Sequence, residues 1–219
     1  MTIMEHGHDD GRGTIDEAVG VVLVRQYNNV MNRISTSGKP NAGAEAERLL
    51  YELIAASSLS SSAPSRSFDN TPSIAVTTAT SAASTPRAPP SPQLLSLLAP
   101  DRISFNTAIK AYANAGGEHA VANAERILSV MENYRPPSAS SSSKKTTNVI
   151  APDKISYTSV LMAYASSSGK RKNIIDAGER AEELLGRITK LYEEGGNGGG
   201  GSSDVKPDTV MYNAVLKVW

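Results

Sequence analysis

The sequence contains few residues of the types that carry out catalysis. It has no cysteine, which excludes a thiolate nucleophile, a disulfide framework and a cysteine-bound zinc site. Two of its three histidines, His6 and His8, precede a pair of aspartates and could in principle bind a metal ion, but they lie in a start, residues 1–13, that we expect to be disordered. The third, His119, has no partner with which to form a catalytic dyad or triad. We therefore predict that the chain is not an enzyme and holds neither a metal nor a cofactor.

Aspartate follows proline at three places, and this pair signals the end of one helix and the start of the next. Proline cannot continue a helix that precedes it, and the aspartate carboxylate can accept hydrogen bonds from the free N–H groups of a new helix. The three pairs are Pro100-Asp101, Pro152-Asp153 and Pro207-Asp208. Nearer the start of the chain, Thr14 and Glu17 have the spacing of a capping box, which predicts a longer helix that begins near Ile15.

An apolar stripe with helical spacing follows each of these predicted starts. The four stripes, each at positions i, i+3, i+4 and i+7, are Tyr27-Val30-Met31-Ile34, Phe105-Ala108-Ile109-Tyr112, Tyr157-Val160-Leu161-Tyr164 and Tyr212-Val215-Leu216-Trp219. One stripe of this kind lets an amphipathic helix pack on a neighbour. We therefore predict four related helices, and the common spacing indicates an internal repeat.

A glycine and then a second helix with a signature of its own follow each of the first three stripes. Glycine favours the left-handed conformation that ends a helix, and it occurs at Gly38, Gly116 and Gly169. The second-helix signatures are Ala46-Glu47-Arg48-Leu49-Leu50, Ala124-Glu125-Arg126-Ile127-Leu128 and Ala181-Glu182-Glu183-Leu184-Leu185. The predicted fold class is therefore all-α, a helical-hairpin repeat solenoid (α-α superhelix) with long disordered insertions.

Stretches rich in Ser, Thr, Pro and Gly separate the predicted hairpins. They contain almost no periodic apolar residues, so ordering them would cost backbone entropy without compensating burial. The predicted division is a disordered start at 1–13, a degenerate first hairpin at 14–56, a linker at 57–93, a second hairpin at 94–135, a loop at 136–151, a third hairpin at 152–194, a Gly/Ser loop at 195–205 and the first helix of a fourth repeat at 206–219. Because the chain stops at Trp219, within that fourth repeat, we expect it to be a fragment of a longer protein.

The Pro-Asp pair, followed after three further residues by an aromatic-Asn pair at the first and third of these places and by Tyr157-Thr158 at the second, resembles the pentatricopeptide repeat family. The stretches that carry the likeness are Pro100 to Ile109, Pro152 to Thr158, Pro207 to Leu216 and, in a second helix, Ala124 to Glu132. With the first hairpin, the likeness covers a little over half of the chain. The aromatics lie farther apart than the family's repeat of about 35 residues, which implies insertions that loop out between stacked hairpins.

The resemblance implies a single-stranded RNA-binding scaffold that acts in RNA processing or other organellar RNA metabolism, in a mitochondrion or plastid. Proteins of this family bind one base per repeat through the residue after the aromatic and the last residue of the repeat. The pairs so implied are Asn28 with Asp101, Asn106 with Asp153 and Thr158 with Asp208, and Asn213 is the corresponding residue of the fourth segment. By the family's recognition pattern they would read U-U-G. The resemblance also implies aliphatic residues that press on the bases, which are Ile103, Ile155 and Val210, with Arg25 at that place in the first segment.

The distribution of charge gives an argument that does not depend on the family. Apart from Asp16 and Glu17 near the start of the first of them, the first helices carry Arg25, Arg33, Arg102, Lys110, Lys154 and Lys217, and no acid besides the aspartates of the Pro-Asp pairs, which we call the junction aspartates. Half of the 22 acidic residues fall in the second helices. In a hairpin solenoid the two sets of helices form opposite walls, so one wall would be basic and the other acidic. A basic wall suits an anionic strand.

Other observations limit that expectation. Basic and acidic residues balance at 22 each, so affinity for RNA should be weak. The aspartates and asparagines are also good helix-capping residues, and Tyr112, Tyr164 and Trp219 are better explained as core aromatics than as stacking platforms. No apolar run is long enough to cross a membrane, and residues 1–13 do not resemble a transit peptide. The alternative prediction is a protein-interaction solenoid of the tetratricopeptide kind, with protein partners in place of RNA.

Overall fold

The computed structural model describes residues 12–59, 98–117, 119–136, 150–167, 174–195 and 205–219. Within these ranges the regular elements are helices and there is no strand, which confirms the all-α prediction for this part of the chain. The predicted cluster at His6 and His8, the glycine break at Gly169 and most of the predicted linkers lie outside the described residues.

Seven helices occur in the described ranges. They are α1 (Arg12–Ser35), α2 (Ala42–Leu59), α3 (Arg102–Ala115), α4 (Ala120–Asn133), α5 (Lys154–Ser167), α6 (Ile174–Gly195) and α7 (Thr209–Val218). We call α1, α3, α5 and α7 the first helices and α2, α4 and α6 the second helices.

Two helix boundaries differ from the prediction. Helix α1 is described from Arg12, before the expected start near Ile15. Helix α2 continues to Leu59, past the predicted start of the linker at Ser57. The Ser57 side chain is fully buried, donates to the Ile54 carbonyl oxygen at 2.8 Å and lies 3.2 Å from the Tyr134 hydroxyl. This burial and hydrogen bonding offset the low helix propensity of serine.

The three junction aspartates cap the helices that follow them, as predicted. Asp101 accepts from the Ser104 backbone N–H at 2.8 Å, and the Ser104 hydroxyl accepts from the Asp101 N–H at 3.2 Å. Asp153 and Ser156 make the same two bonds at 2.9 and 3.1 Å. Asp208 accepts at 3.0 Å from the backbone N–H of the third residue of α7. Each carboxylate thus satisfies an N–H group that the helix itself leaves unpaired.

Two of the predicted glycine breaks lie where first helices end. Gly38 and Gly116 have φ angles of 68° and 63°, which a residue with a Cβ rarely adopts. The Gly116 N–H donates to the Tyr112 carbonyl oxygen at 2.9 Å and so closes the last turn of α3. These glycines let the chain reverse into the second helices.

The helices contact one another in a regular order. The first helices touch in chain order, α1 with α3, α3 with α5 and α5 with α7. Each second helix packs on its own first helix and on the first helix that comes next, so α2 contacts α1 and α3, α4 contacts α3 and α5, and α6 contacts α5 and α7. A single cluster of buried apolar side chains runs from Met31 in α1 to Val218 in α7. The described helices therefore share one continuous core.

The apolar stripes are buried in the middle of this arrangement and partly exposed at its ends. In α3 and α5 all four residues of the predicted stripe are buried, which confirms them. In α1, Val30 is 48% exposed. In α7 the prediction is wrong for Tyr212, Leu216 and Trp219, which are 49%, 70% and 56% exposed, because among the described helices only α5 and α6 pack on α7. The buried residues of α7 are Met211, Ala214, Val215 and Val218.

Candidate nucleic-acid interface

The structure brings two of the three predicted pairs, those of an asparagine with an aspartate, into direct contact. Asn28, on α1, donates from Nδ2 to Asp101 Oδ1 at 3.0 Å, although the two residues are 73 positions apart. Asn106, on α3, donates to Asp153 Oδ1 at 3.1 Å across 47 positions. In both pairs the asparagine lies on one first helix and the aspartate caps the next one. The same local geometry therefore occurs at two successive junctions.

A serine that the sequence reasoning missed completes each pair. The Ser104 hydroxyl donates to Asn28 Oδ1 at 2.8 Å, and the Ser156 hydroxyl donates to Asn106 Oδ1 at 2.6 Å. Both serines are fully buried. A signal for them was present, because serine stands three positions after the junction aspartate at the first two junctions. Met211 occupies that position at the third.

Each asparagine keeps part of its hydrogen-bonding capacity. Asn28 and Asn106 are 7% and 9% exposed. An amide offers two N–H donors and two lone pairs, and the aspartate and the serine use one of each. One N–H and one lone pair remain on either amide. A donor and an acceptor on one planar group are what a two-point contact with a base edge requires.

The third junction has a different arrangement. Thr158 donates its hydroxyl to the Lys154 carbonyl oxygen of its own helix at 2.7 Å, and no hydrogen bond joins it to Asp208. The Lys154 ammonium lies 2.7 Å from Asp208 Oδ2 instead. The hydrogen bond from Lys154, followed by that from the Met211 backbone N–H, lowers the pKa of Asp208 below its ordinary value. The structure therefore does not join the predicted Thr158–Asp208 pair by a hydrogen bond.

The predicted base-pressing residues are exposed beside open clefts. Ile103, Ile155 and Val210 are 59%, 59% and 50% exposed, although they are aliphatic, and Arg25 is also exposed. A cleft of about 560 Å³ between α1 and α3 is lined by Arg25, Asn28, Asp101 and Ile103, among others. A second cleft of about 520 Å³ is lined by residues of α3, α5 and α7 that include Lys110, Ile155, Thr158, Met162 and Val210. Asn213, the remaining predicted residue, is exposed on α7.

Part of the positive charge of the first helices is compensated locally. Arg102 lies 3.7 Å from Asp153, and Lys154 lies 2.7 Å from Asp208, so the cation at the start of a first helix pairs with the next junction aspartate. Arg25, Arg33 and Lys110 form no ion pair with any residue that the structure describes. They are the cations best placed to bind an external anion.

The second helices do not present the uncompensated acidic wall that the sequence analysis predicted. Three arginines of these helices pair with acids of the preceding hairpin, and the pairs are Arg126 with Glu47 at 2.5 Å, Arg180 with Glu125 at 2.6 Å, and Arg187 with Glu132. Arg48 and Glu52 form a further pair within α2 at 2.7 Å. The acids of this side therefore connect successive hairpins, and the contrast in charge between the two sides is smaller than predicted.

The aromatics that end the stripes of α3, α5 and α7 contact acids of the second helices. Tyr112 and Tyr164 are 8% and 0% exposed, so the prediction that they are core residues is confirmed, whereas the 56% exposed Trp219 contradicts it. Their polar atoms donate to a carboxylate of the preceding second helix, which is Glu47 at 2.5 Å for Tyr112, Glu125 for Tyr164 and Glu182 at 2.9 Å for Trp219. Burial, followed by the hydrogen bond to Glu47, raises the pKa of Tyr112 well above its ordinary value.

Comparison of the chain with protein-family models, with curated proteins and with solved structures yields no match. Within the described ranges, no three His, Asp or Glu side chains are grouped so that they could hold a metal ion. No described helix has both the length and the apolar character needed to cross a bilayer.

Proposed function

We propose that the chain is a helical-repeat scaffold that binds single-stranded RNA along its first helices, in the manner of pentatricopeptide repeat proteins. The observation that carries the proposal is the repetition at the first two junctions. An Asn–Asp pair from distant parts of the chain comes together twice with the same hydrogen bonds, and an exposed isoleucine follows each aspartate by two residues. Helix capping alone explains the aspartates, but it does not explain the asparagines or the exposed isoleucines.

The order of helix contacts supports a solenoid. In stacked hairpins each unit contacts only its neighbours, and the first helices line one side. Contacts of α1 with α3, α3 with α5 and α5 with α7, together with second helices that bridge consecutive hairpins, match that order. A strand laid along the first helices would meet the junctions one after another.

Each of the first two junctions offers polar and apolar groups that suit the binding of one base. The free N–H and lone pair of Asn28 or Asn106 can bond to the edge of a pyrimidine, and uracil is the base that the family likeness implies. Ile103 and Ile155 provide apolar surface on which a base face can lie. Arg25 and Lys110 line the two clefts and can pair with phosphates. With few such cations and a net charge of zero, we expect weak binding.

A fluorescence anisotropy titration tests the proposal. The full chain is titrated against a labelled RNA that contains U-U-G and against poly-A of equal length, at two salt concentrations. We expect tighter binding of the U-U-G RNA and weaker binding of both at the higher salt. Asn106→Ala should reduce the preference for the U-U-G RNA by about tenfold, since a good base contact contributes about 1–3 kcal/mol.

Asn133→Ala is the matched control. Asn133 lies on the second helix α4, where its amide donates to the Ser129 carbonyl oxygen at 2.8 Å, so its loss should leave RNA binding unchanged. Equal affinity of the wild-type chain for the two RNAs would remove the claim of base selectivity. Absence of binding to either RNA would overturn the proposal and favour a protein-interaction scaffold.

A further inference from the structure

We infer that Ser104 and Ser156 are positioning residues that set the base selectivity of the preceding asparagines. The serines act through Asn28 and Asn106, whose amide groups they hold in one orientation. Each serine belongs to the hairpin that follows the one containing its asparagine. The inference rests on the proposed function, since it assigns the residues that make the same site selective.

The hydrogen bonds at the second junction leave one consistent arrangement of protons. Asp153 Oδ1 accepts from the Ser156 backbone N–H at 2.9 Å and from Asn106 Nδ2 at 3.1 Å, which uses both lone pairs of that oxygen. The Ser156 hydroxyl oxygen accepts from the Asp153 N–H at 3.1 Å. Its single proton is therefore directed to Asn106 Oδ1, at 2.6 Å, and not to the carboxylate oxygen at 3.0 Å.

The first junction has the same set of bonds. Asp101 Oδ1 accepts from the Ser104 N–H at 2.8 Å and from Asn28 Nδ2 at 3.0 Å. The Ser104 hydroxyl accepts from the Asp101 N–H at 3.2 Å and donates to Asn28 Oδ1 at 2.8 Å. The two junctions, which lie in different parts of the chain, therefore form the same set of hydrogen bonds.

Each asparagine amide is consequently held at both of its ends. A carboxylate only accepts hydrogen bonds, so the aspartate requires the NH2 end of the amide to face it. The serine hydroxyl then binds the other end and restricts rotation of the amide plane. Because the serines are fully buried and the asparagines nearly so, water does not replace either bond readily. The remaining N–H and lone pair of each amide are therefore held in a constant order.

The third junction shows what accompanies the loss of the serine. Met211 stands in the serine position, and the residue in the asparagine position is Thr158, whose hydroxyl bonds to its own helix. Asp208, without an amide partner, pairs with Lys154. Within this chain, serine thus occurs at the two junctions that have an asparagine to hold. We expect base selectivity to be weakest at the third junction for this reason.

A purely structural role for the serines makes a different prediction. Ser104 and Ser156 also complete capping boxes, so their removal will cost some stability in either case. A capping role alone would lower the melting temperature and leave the choice of base unaltered. The positioning role requires that selectivity at one base falls.

The test compares three variants of the full chain, Ser156→Ala, Ser156→Thr and Ser167→Ala. Affinities are measured for four RNAs that differ only at the second base of U-U-G, the one assigned to Asn106, where they carry U, C, A or G. Thermal unfolding is recorded for each variant. Ser156→Ala should reduce the preference for U about fivefold, which corresponds to one ordinary hydrogen bond. Ser156→Thr, which keeps the hydroxyl, should retain the wild-type preference.

Ser167→Ala is the matched control. Ser167 is a fully buried serine on the same helix, and its hydroxyl donates to the Gly117 carbonyl oxygen at 3.3 Å. Its loss should lower the melting temperature without a change in base preference. If Ser156→Ala does not fold, Ser104→Ala, measured at the first base, replaces it.

The outcomes separate this inference from the proposed function. A wild-type chain that prefers U, together with a folded Ser156→Ala variant that keeps the same preference, overturns the positioning role alone. A wild-type chain with no preference at any base overturns the selectivity that both ideas require. A loss of preference that is equal in Ser156→Ala and Ser167→Ala would also overturn the positioning role, since general loosening would explain it.

Discussion

The hydroxyl of Tyr112 joins three helices through one carboxylate. It donates to Glu47 of α2 at 2.5 Å, and Arg126 of α4 pairs with the same carboxylate at 2.5 Å. The Arg126 guanidinium also donates to the Tyr51 hydroxyl at 3.1 Å. Because the Tyr112 ring is buried, its hydroxyl has little access to water and depends on Glu47 as its acceptor.

Replacement of Tyr112 by Phe should lower the free energy of unfolding by about 1–2 kcal/mol, because a buried hydrogen bond to a charged group is lost while Glu47 keeps Arg126 as a partner. Urea unfolding followed by circular dichroism measures the change. Tyr192→Phe is the matched control, since the Tyr192 hydroxyl on α6 makes no hydrogen bond with a described residue. Equal losses in the two variants would contradict the role assigned to Glu47.

The same residue should make the protein sensitive to alkaline pH. The pKa of Tyr112 is raised in the folded state, chiefly by burial, so the folded state favours the protonated phenol. The stability that this contributes is fully present below the unfolded pKa of about 10 and is lost as the pH rises towards the folded value. As the pH rises above about 10 in urea unfolding, the wild-type chain should therefore lose more stability than Tyr112→Phe. An identical pH dependence of the two would contradict the shift.

Residue by residue, the sequence predicts local interactions better than those between helices. The caps at Asp101, Asp153 and Asp208 are visible in the sequence because a cap depends on neighbouring residues. The contact of Asn28 with Asp101 was suggested only by a family resemblance, since the two are 73 positions apart. Ser156 was missed because its hydroxyl bonds across to another helix, and the recurrence of serine three positions after the aspartate does not reveal that partner.

At the scale of helices, glycine permits two of the closest approaches. Gly43 of α2 lies against the Tyr112 ring, and a Cβ added there would come within 2.3 Å of a ring carbon. Gly178 of α6 lies in the same way against Trp219, where an added Cβ would come within 2.7 Å of the indole. Both glycines stand four residues before the glutamate that accepts from the same aromatic. The absence of a side chain therefore lets the ring lie flat on the helix.

Gly43→Ala should destabilise the protein, although alanine is the better helix former. Helix propensity favours alanine by about 1 kcal/mol, but the overlap with the Tyr112 ring should cost about 1–3 kcal/mol more than that gain. Gly186→Ala on α6 is the matched control, because an added Cβ there meets open space and should stabilise by about 0.5–1 kcal/mol. Thermal and urea unfolding of the two variants measure the difference, and stabilisation by Gly43→Ala would show that the ring moves aside at little cost.

The sequence predicts which segments are helical, but not which face of every helix is covered. Periodicity identified the stripes of α3 and α5 correctly, because helices pack on several sides of both. The same pattern in α7 failed for Tyr212, Leu216 and Trp219, since burial depends on which neighbours are present. The end of α2 was also misplaced, because tertiary packing extends this helix beyond its local signal at Ser57.

At the scale of the whole molecule, the small number of uncompensated cations limits how strongly the proposed RNA binding should depend on salt. Arg25, Arg33 and Lys110 belong to the first helices and have no ion-pair partner among the described residues, whereas Arg102 and Lys154 pair with aspartates. Each phosphate contact with a single strand contributes a slope of about −0.7 to a plot of log affinity against log salt. Three contacts predict a slope of about −2 in anisotropy titrations.

Lys110→Ala should reduce that slope by about 0.7 and weaken binding to U-U-G RNA and poly-A alike. Lys190→Ala is the matched control, because Lys190 lies on the second helix α6, where it pairs with Glu194 at 3.8 Å. An unchanged slope in Lys110→Ala would show that the RNA does not follow the face of α3.

The sharing of each junction between two hairpins has a consequence for how such a chain can change over time. Asn106 comes from one hairpin, and Asp153 and Ser156 come from the next. A duplicated or transplanted hairpin would therefore arrive with half of one Asn–Asp–Ser cluster at each end, and would acquire new partners for both halves. The unit that evolution or an engineer can exchange intact is therefore the boundary segment, which consists of the last part of one hairpin and the first part of the next.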